Sequence, residues 1–581
     1  MKATIKLIAK LFIYLALYAF SLLSFKIVNS QNLTQVIKGN IVDVETQTTL
    51  PGATVVVLGT NPTLGTSTDM DGNYRIENAP LGRYSIQVAF VGYEQVVIPE
   101  VLITSSKEVV LNVGLKQSIN HIQEVVVKAH TRKDKPLNPM ATISAKSFTV
   151  EETRRYAGGL DDPARMVSAF AGVTVGNIQD NAIIIRGNSP KGVSWRLEGV
   201  EIPNPNHFAG GNVAGGGVVT VFSSQLLANS DFFTGAFPAE YGNALAGVFD
   251  MKLRSGNNEK RESTFQAGIM GIDFASEGPF VKGGKSSYLF NYRYSTLDLI
   301  SKMGLIPSEQ IPRYQDLSFK LNFPTSKAGT FSIWGVGAID NNTEPEDNDS
   351  VNWETDWDRT SYDWNISMGA AGITHKILLG SKTYLNTSLA ASGTVNTMFG
   401  ERYDDLLVLR PNWDFTDKSG RVGVNTFLNH KFSAKHTVRT GVNYSKILYN
   451  IDLSSTINDK PETFQNFVKQ KGSSNYAEFY IQSKYSVTHN LTANTGVNFN
   501  YFALNGNYSI DPRFSLKWDF AQNQSISFGY GKHSQLEELK IYLIKKETAG
   551  EEYYPNKNLE LSKAHHFILA YDWLINSNLR L

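Results

Sequence analysis

The stretch Phe514-Ser515-Leu516-Lys517-Trp518-Asp519-Phe520 decides the fold. Large apolar side chains occupy every second position, and polar or charged ones stand between them. Successive side chains of an extended chain point to opposite faces, so this is a strand with one apolar and one wet face. The pattern recurs along the chain. Tyr288, Phe290, Tyr292 and Tyr294 oppose Asn291, Arg293 and Ser295, and Leu317, Phe319, Leu321 and Phe323 oppose Ser318, Lys320 and Asn322. Tyr362, Trp364, Ile366 and Met368 oppose Asp363, Asn365 and Ser367. Leu491, Val497, Phe499 and Tyr501 oppose Thr492, Asn494, Asn498 and Asn500, and Phe567, Leu569 and Tyr571 oppose His566 and Asp572. Period two with aromatic ends is the signal of a transmembrane barrel, with lipid outside and water or a plug inside. A soluble sandwich also alternates, but both its sheets turn apolar faces inward.

Loop lengths alternate as well. Residues 282–285 and 325–329 are short turns suited to a periplasmic rim. Residues 340–358 read as a long acidic loop with no Lys or Arg, carrying Trp353 and Trp357. Such a loop is a solvated surface, or a mouth that attracts cationic or aromatic ligands.

Composition agrees. Lys plus Arg is 55 against 54 Asp plus Glu, which lacks the basic excess of a nucleic-acid binder. The absence of cysteine excludes disulfides, thiolate metal sites, a cysteine nucleophile and an N-terminal lipid anchor. A mean hydropathy of −0.22 suits a barrel wet on one face.

Toward the N-terminus, Lys2, Lys6 and Lys10 precede an apolar run from Leu11 to Leu23, and Val28-Asn29-Ser30 has the small-residue character of a cleavage site. Residues 1–30 therefore read as a signal peptide, because the run is shorter than the about 20 residues of a spanning helix. No long apolar run follows, so a membrane location requires a barrel.

Residues 31–116 read as a β-sandwich of short strands, including 41–42, 54–58, 74–76, 84–88 and 109–113, punctuated by Pro51-Gly52, Asp71-Gly72, Leu81-Gly82 and Val91-Gly92. Asp69 and Asp71 fit a hairpin turn better than calcium, since the ligand series is incomplete. Residues 117–137 are a linker holding Glu124-Val125-Val126-Val127-Lys128-Ala129. Three valines favour an extended strand, either the sandwich's last or one offered to a partner's sheet edge.

Residues 138–256 change character. A short helix opens at Asp162-Pro163, and an apolar strand enters a turn at Arg186-Gly187. A strand returns through Trp195-Arg196-Leu197-Glu198-Gly199, and Ala239-Glu240-Tyr241-Gly242 and a strand from Gly247 follow. The glycines around 210–217 lack the Lys and Ser/Thr of a phosphate loop, so close backbone packing explains them better. Asn204, Asn206, His207 and Phe208 form the polar and aromatic tip of a Pro-rigidified loop, which on its residues alone reads as a structural turn.

Two resemblances follow from these motifs. The order Gly39-x-Ile41-Val42-Asp43, Leu50-Pro51-Gly52-Ala53, Thr68 to Tyr74 and Val91-Gly92-Tyr93 resembles the carboxypeptidase-regulatory-like domain, a non-catalytic sandwich. The Ile-Arg-Gly turn, the Leu-Glu-Gly-Val return and the Ala-Glu-Tyr-Gly segment resemble the plug of TonB-dependent receptors, in the layout of Bacteroidota relatives of SusC. Glu198 stands where that family often has Asp. The resemblance implies an outer-membrane importer whose TonB box is Glu124 to Ala129, gripped by TonB and energised from the inner membrane. It implies plug-motif roles for Arg186, Gly187, Glu198 and Gly199, and on its plan the tip Asn204, Asn206, His207 and Phe208 lies toward the outer face where substrate arrives, a candidate substrate contact alongside Trp353 and Trp357. It also implies a nutrient substrate (siderophore, metal complex, peptide or glycan), outer-membrane lipid around the barrel, and a SusD-like surface lipoprotein as an open partner. A non-transporting surface receptor or adhesin is the alternative.

The expected fold is therefore all-β dominated: a sandwich, a small α+β plug, and an antiparallel barrel over 257–581. About fourteen strands are legible against the about 22 of plugged outer-membrane transporters, so C-terminal strands are expected to be missing. No catalytic, cofactor or metal constellation is expected. Zinc and nucleophile-elbow motifs are absent, and the neighbours His565 and His566 should face opposite ways.

Overall fold

The computed structural model describes residues 33–119 and 136–581, apart from 157, 160, 178–179, 211–212, 269–270, 304–312, 356, 459, 522, 576–578 and 580. The expected signal peptide and the segment Glu124 to Ala129 lie outside the described residues.

The N-terminal sandwich has two sheets. β1 (Thr34–Asp43), β4 (Asn73–Pro80), β7 (Val109–Val110) and β8 (Val113–Leu115) form one. β2 (Thr54–Leu58), β3 (Leu64–Ser67), β5 (Gly82–Ala89) and β6 (Val96–Ile103) form the other, in the order β3-β2-β5-β6. Alternate residues meet between them: Ile37 and Ile41 of β1 and Tyr74 and Ile76 of β4 pack with Val55, Val57, Ile86 and Val88. At the β3–β4 turn, Asp69 Oδ1 accepts from the amides of Asp71 and Asn73, and Gly72 takes φ +75°.

The plug is α+β. β12 (Val193–Leu197) runs parallel to β15 (Gly247–Met251), and the sheet order β13-β12-β15-β14-β9 adds β9 (Ala145–Phe148), β13 (Val200–Ile202) and β14 (Ser230–Phe233). β10 (Val173–Asn177) and β11 (Asp180–Ile185) form a separate hairpin. The helix Val150–Arg155 begins in a capping box between Thr149 and Glu152, and Pro163–Met166 is capped by Asp162. Trp195 stacks on Phe249 at 4.3 Å in the centre of this sheet.

Fourteen antiparallel strands, consecutive except for one inserted hairpin, curl around the plug. They are β16 (Glu262–Gly268), β17 (Gly271–Pro279), β18 (Ser287–Tyr294), β19 (Arg313–Pro324), β20 (Thr330–Glu344), β21 (Thr360–Gly380) and β22 (Thr383–Tyr403). β23 (Leu409–Ser433), β24 (His436–Ile457), β25 (Lys460–Ser486), β26 (Leu491–Phe502), β27 (Asn507–Ala521) and β28 (Gln524–Gln535) continue the wall. A loop bearing β29 (Lys546–Thr548) and β30 (Glu551–Tyr553) precedes the fourteenth, β31 (Ser562–Trp573). Among the described residues no helix is long and apolar enough to cross a membrane.

The expected alternation holds in most of the wall. Phe514, Trp518, Phe567 and Leu569 point outward and are exposed, while Asn291, Asn498, Asn500 and Ser515 are buried inside. His566 faces the lumen and His565 meets Tyr530 outside. β21 differs: Ile366, Met368 and Ala370 turn inward and are buried. The plug's apolar core continues onto Trp334, Val336, Ala338 and Met368, so this part of the lumen is dry. Asp363 and Asn365 take the outer face. There they bond Asn341, near the end of β21 that lies away from the short turns. Asp340, expected in the acidic loop, lies inside β20, which continues to Glu344.

Candidate functional site

The candidate functional element is the seat of the plug in the wall, and local turns build it. In the two plug motifs, Arg186 and Gly187 have φ of +51° and +79°, and Glu198 and Gly199 have +53° and +83°. Two consecutive left-handed residues make the tight turn that matches strand twist, which explains the glycine in each motif. The turn at 198–199 joins β12 to β13. It places Glu198 so that its Oε1 accepts from the Leu253 amide at 2.7 Å and from Lys320 Nζ of β19 at 2.9 Å.

The Ala239-Glu240-Tyr241-Gly242 segment is held from the opposite wall. Arg439 of β24 donates to Glu240 at 2.7 Å, and Gln482 of β25 donates to the same carboxylate at 3.0 Å. Gln482 also accepts from the Ala239 amide, and Asn498 of β26 donates to the Ala239 carbonyl. Arg513 of β27 donates to the Tyr241 carbonyl at 2.7 Å and lies over the Phe237 ring. Arg421 of β23 pairs with Glu201 at 2.7 Å. Buried arginines of the wall need partners, and the plug's carboxylates and carbonyls supply them.

His207 is a third fastening. Its Nδ1 is bonded to Asp340 of β20 and its Nε2 lies 3.1 Å from Asp316 of β19, with the imidazole fully buried. Arg293 of β18 pairs with the same Asp316 at 2.7 Å and donates to the Thr220 carbonyl of the plug. Burial alone would lower the imidazole's pKa, but the carboxylates of Asp340 and Asp316 outweigh it and hold the value above the ordinary one.

The other substrate candidates fall in two places. Asn204 donates to the Gly216 carbonyl and accepts from Asn206, whose own side chain is buried. Phe208 packs with Val219, Tyr314 and Trp364 near the outer half of the wall. Trp353 and Trp357 sit instead on the outer loop: Trp353 stacks on Tyr403 at 5.8 Å, and Trp357, 63 % exposed, lies near Trp413. The structure thus brings Asn204, Asn206, His207 and Phe208 together and leaves the two tryptophans as a separate aromatic surface. The sequence does not single out Arg439, Gln482 or Asp316, and it shows Lys320 only as a polar-face residue of its strand and Asp340 only as part of the acidic loop. Their partners are distant in the chain, and the local signal is no more than a polar or charged side chain on a strand. Among the described residues no group of three or more His, Asp or Glu side chains could hold a metal ion.

Comparison with known proteins places this geometry. Residues 37–127 match the CarboxypepD_reg-like domain, a range that includes most of the Glu124 to Ala129 segment. Residues 283–578 match the model described as TonB dependent receptor-like, beta-barrel. The chain is 24% identical over 237 residues to the TonB-dependent transporter Oar of Myxococcus xanthus, a match covering 39% of this chain and 21% of that protein. The match thus spans about a fifth of that relative's length. Among solved structures, the siderophore receptor PirA from Pseudomonas aeruginosa superposes with a TM-score of 0.52 at 13% identity, covering 75% of this chain and 72% of that one. The outer membrane transporter YddB from Escherichia coli gives 0.52 at 13% identity over 75% and 67%. The ferric enterobactin receptor PfeA gives 0.51 at 12% identity over 75% and 70%. At such identities these structures speak for the fold.

Proposed function

This chain belongs to the TonB dependent receptor-like β-barrel family of the outer membrane, and from that premise we propose that it imports a specific nutrient by TonB-driven displacement of its plug. The observation that carries the proposal is how the plug is seated. One side continues the plug's apolar core onto β20 and β21. The other meets β23 to β27 through side-chain hydrogen bonds and ion pairs, centred on Arg439–Glu240 and Arg421–Glu201. Polar contacts can be exchanged for water when the plug moves, whereas an apolar seam resists wetting. The path therefore opens along the polar wall.

In this reading TonB adds a strand to Glu124-Val125-Val126-Val127-Lys128-Ala129 and pulls. Substrate first meets the outer surface around Trp353 and Trp357 and then the plug face near Asn204, Asn206, His207 and Phe208. Ferric siderophores are the first class to test, because two of the matched structures are named as siderophore or ferric enterobactin receptors. Other metal complexes, peptides and glycans come next, the last two with a SusD-like lipoprotein as partner. The test is accumulation of iron-labelled siderophores, then labelled peptides and glycans, in cells expressing the full-length protein with and without TonB. Accumulation that needs both supports import. Surface binding without TonB-dependent accumulation of any class would favour a non-transporting receptor.

A further inference from the structure

Tips of turns are ordinarily wet, yet the turn that ends β1 is not. Glu45 and Thr46 at its tip are 4% and 3% exposed, and Asp43 at its start is 2% exposed. The turn is tight in itself: Asp43 Oδ1 accepts from the amides of Glu45 and Thr46. It dips into the end of the barrel that carries the short turns. There Lys431 of β23 reaches Asp43 at 2.8 Å and Glu45 at 3.1 Å, and Lys484 of β25 lies 3.7 Å from Glu45. Asn429 donates to the Glu45 carbonyl at 2.7 Å, and Lys376 of β21 donates to Gln47 at 3.2 Å.

The lysines form a pattern. Each strand from β19 to β27 that runs toward the short-turn rim carries one on its lumen side near that end: Lys320, Lys376, Lys431, Lys484 and Lys517. Lys320 is neutralised by Glu198 of the plug, and Lys431 and Lys484 by the sandwich. Between sandwich, plug and rim lies a chamber of about 3100 Å³, half open to the surface, whose lining includes Lys376, Lys484 and Asn322 of the wall and Gln47 of the sandwich. Solute leaving the polar seam of the plug would enter this chamber.

We propose that the sandwich is a releasable lid on the barrel outlet, latched by Asp43 and Glu45 in the lysine collar. Calling the chamber an outlet rests on the import reading, but the latch does not. Its pairs are closed to water, so removing one side leaves buried lysines uncompensated and frees this turn, while Glu108 with Lys260 and Asn257, and Lys107 with Glu277, still tie the sandwich to residues 257–277. The exposed pair Lys285–Asp71, with side chains 69% and 66% exposed, holds the same two bodies together far less.

The test uses the full-length protein in outer-membrane fragments, without any substrate. These 581 residues hold no cysteine, and any cysteine elsewhere in the full-length protein is first replaced by serine, so that the introduced pair reports cleanly. Gln47→Cys with Lys376→Cys, bridged by a bismaleimide about one lysine side chain long, reads docking. Asn322→Cys, labelled by a bulky hydrophilic maleimide, reads closure of the chamber. Asp43→Asn with Glu45→Gln should lower cross-linking and raise Asn322→Cys labelling, each by about tenfold, while Asp71→Asn leaves both unchanged. If the neutralised variant fails to assemble as a heat-modifiable barrel, Glu45→Gln alone is read in the same assays with a smaller change of the same sign. Unchanged cross-linking would overturn the latch, and reduced cross-linking with unchanged labelling would overturn the lid. Either result leaves the import reading standing, because that is tested by TonB-dependent accumulation.

Discussion

Arg439 of the barrel wall and Glu240 of the plug pair across 2.7 Å, with side chains only 5% and 11% exposed. Removing one partner of a buried pair strands the other charge and typically costs about 3–5 kcal/mol. Glu240→Ala should therefore loosen the plug by that order while leaving the sheet of the wall intact. Glu240→Ala with Arg439→Leu should cost less than the two single changes added together, because the stranded charge is gone. Hydrogen exchange of the plug strand Gly247–Met251 measures this; additive losses would show that the pair is not a fastening.

His207 is expected to make the seat sensitive to pH. Its imidazole is held above the ordinary value of about 6.5 by Asp340 and Asp316. A raised pKa in the folded state means that this contribution is fully present below about 6.5 and is lost as pH rises through the raised value. Plug protection should fall with increasing pH across that range. His207→Gln should lower it at acidic pH and flatten the dependence. Exchange rates measured at several pH values, corrected for the intrinsic rate, check the slope and its sign.

The two plug turns predict an asymmetry between neighbours. Gly199 has φ +83° and open space where a Cβ would stand, so Gly199→Ala meets backbone strain without a clash. It should cost about 1–2 kcal/mol, the penalty of a left-handed L-residue. Local exchange in the β12–β13 hairpin should rise accordingly, and no change would mean that the turn tolerates a side chain.

Much of this was legible in the sequence. The alternation around Tyr288 to Ser295 and Phe514 to Phe520 marked both faces of the wall, because lipid and lumen impose opposite chemistry on neighbours. The faces of β21 were less legible. Ile366 and Met368 look like lipid contacts until the plug is known to lie behind them. The inward placement of Asp340 was hidden for a similar reason: a carboxylate beside an acidic loop reads as loop unless its histidine partner, far back in the chain, is in view. Strands β3 and β6 escaped notice because Leu64–Ser67 is short and Val96–Ile103 is interrupted by Pro99 and Glu100. The turn motifs at 186–187 and 198–199 were visible as residues, but their shared left-handed geometry needed the backbone.

The sandwich has its own closed core, so residues 33–118 expressed alone should fold as a soluble β-protein without peptidase activity. Ile86 is fully buried between its sheets, and Ile86→Ala should destabilise that fragment by about 2–5 kcal/mol. Circular dichroism with urea unfolding measures both. An unstructured spectrum would mean that the barrel rim is needed for folding, and metal-dependent hydrolysis of peptides would contradict the non-catalytic reading.

Energy coupling through Val126 is the central claim, and binding of the purified periplasmic domain of TonB to the full-length protein tests it most directly. Strand addition needs the backbone donor that proline lacks, and main-chain bonds supply most of its affinity. Val126→Pro should therefore weaken TonB binding by at least about tenfold, while Val126→Ala stays within about twofold. Undiminished binding by Val126→Pro would contradict the account and leave Glu124 to Ala129 as the last strand of the sandwich.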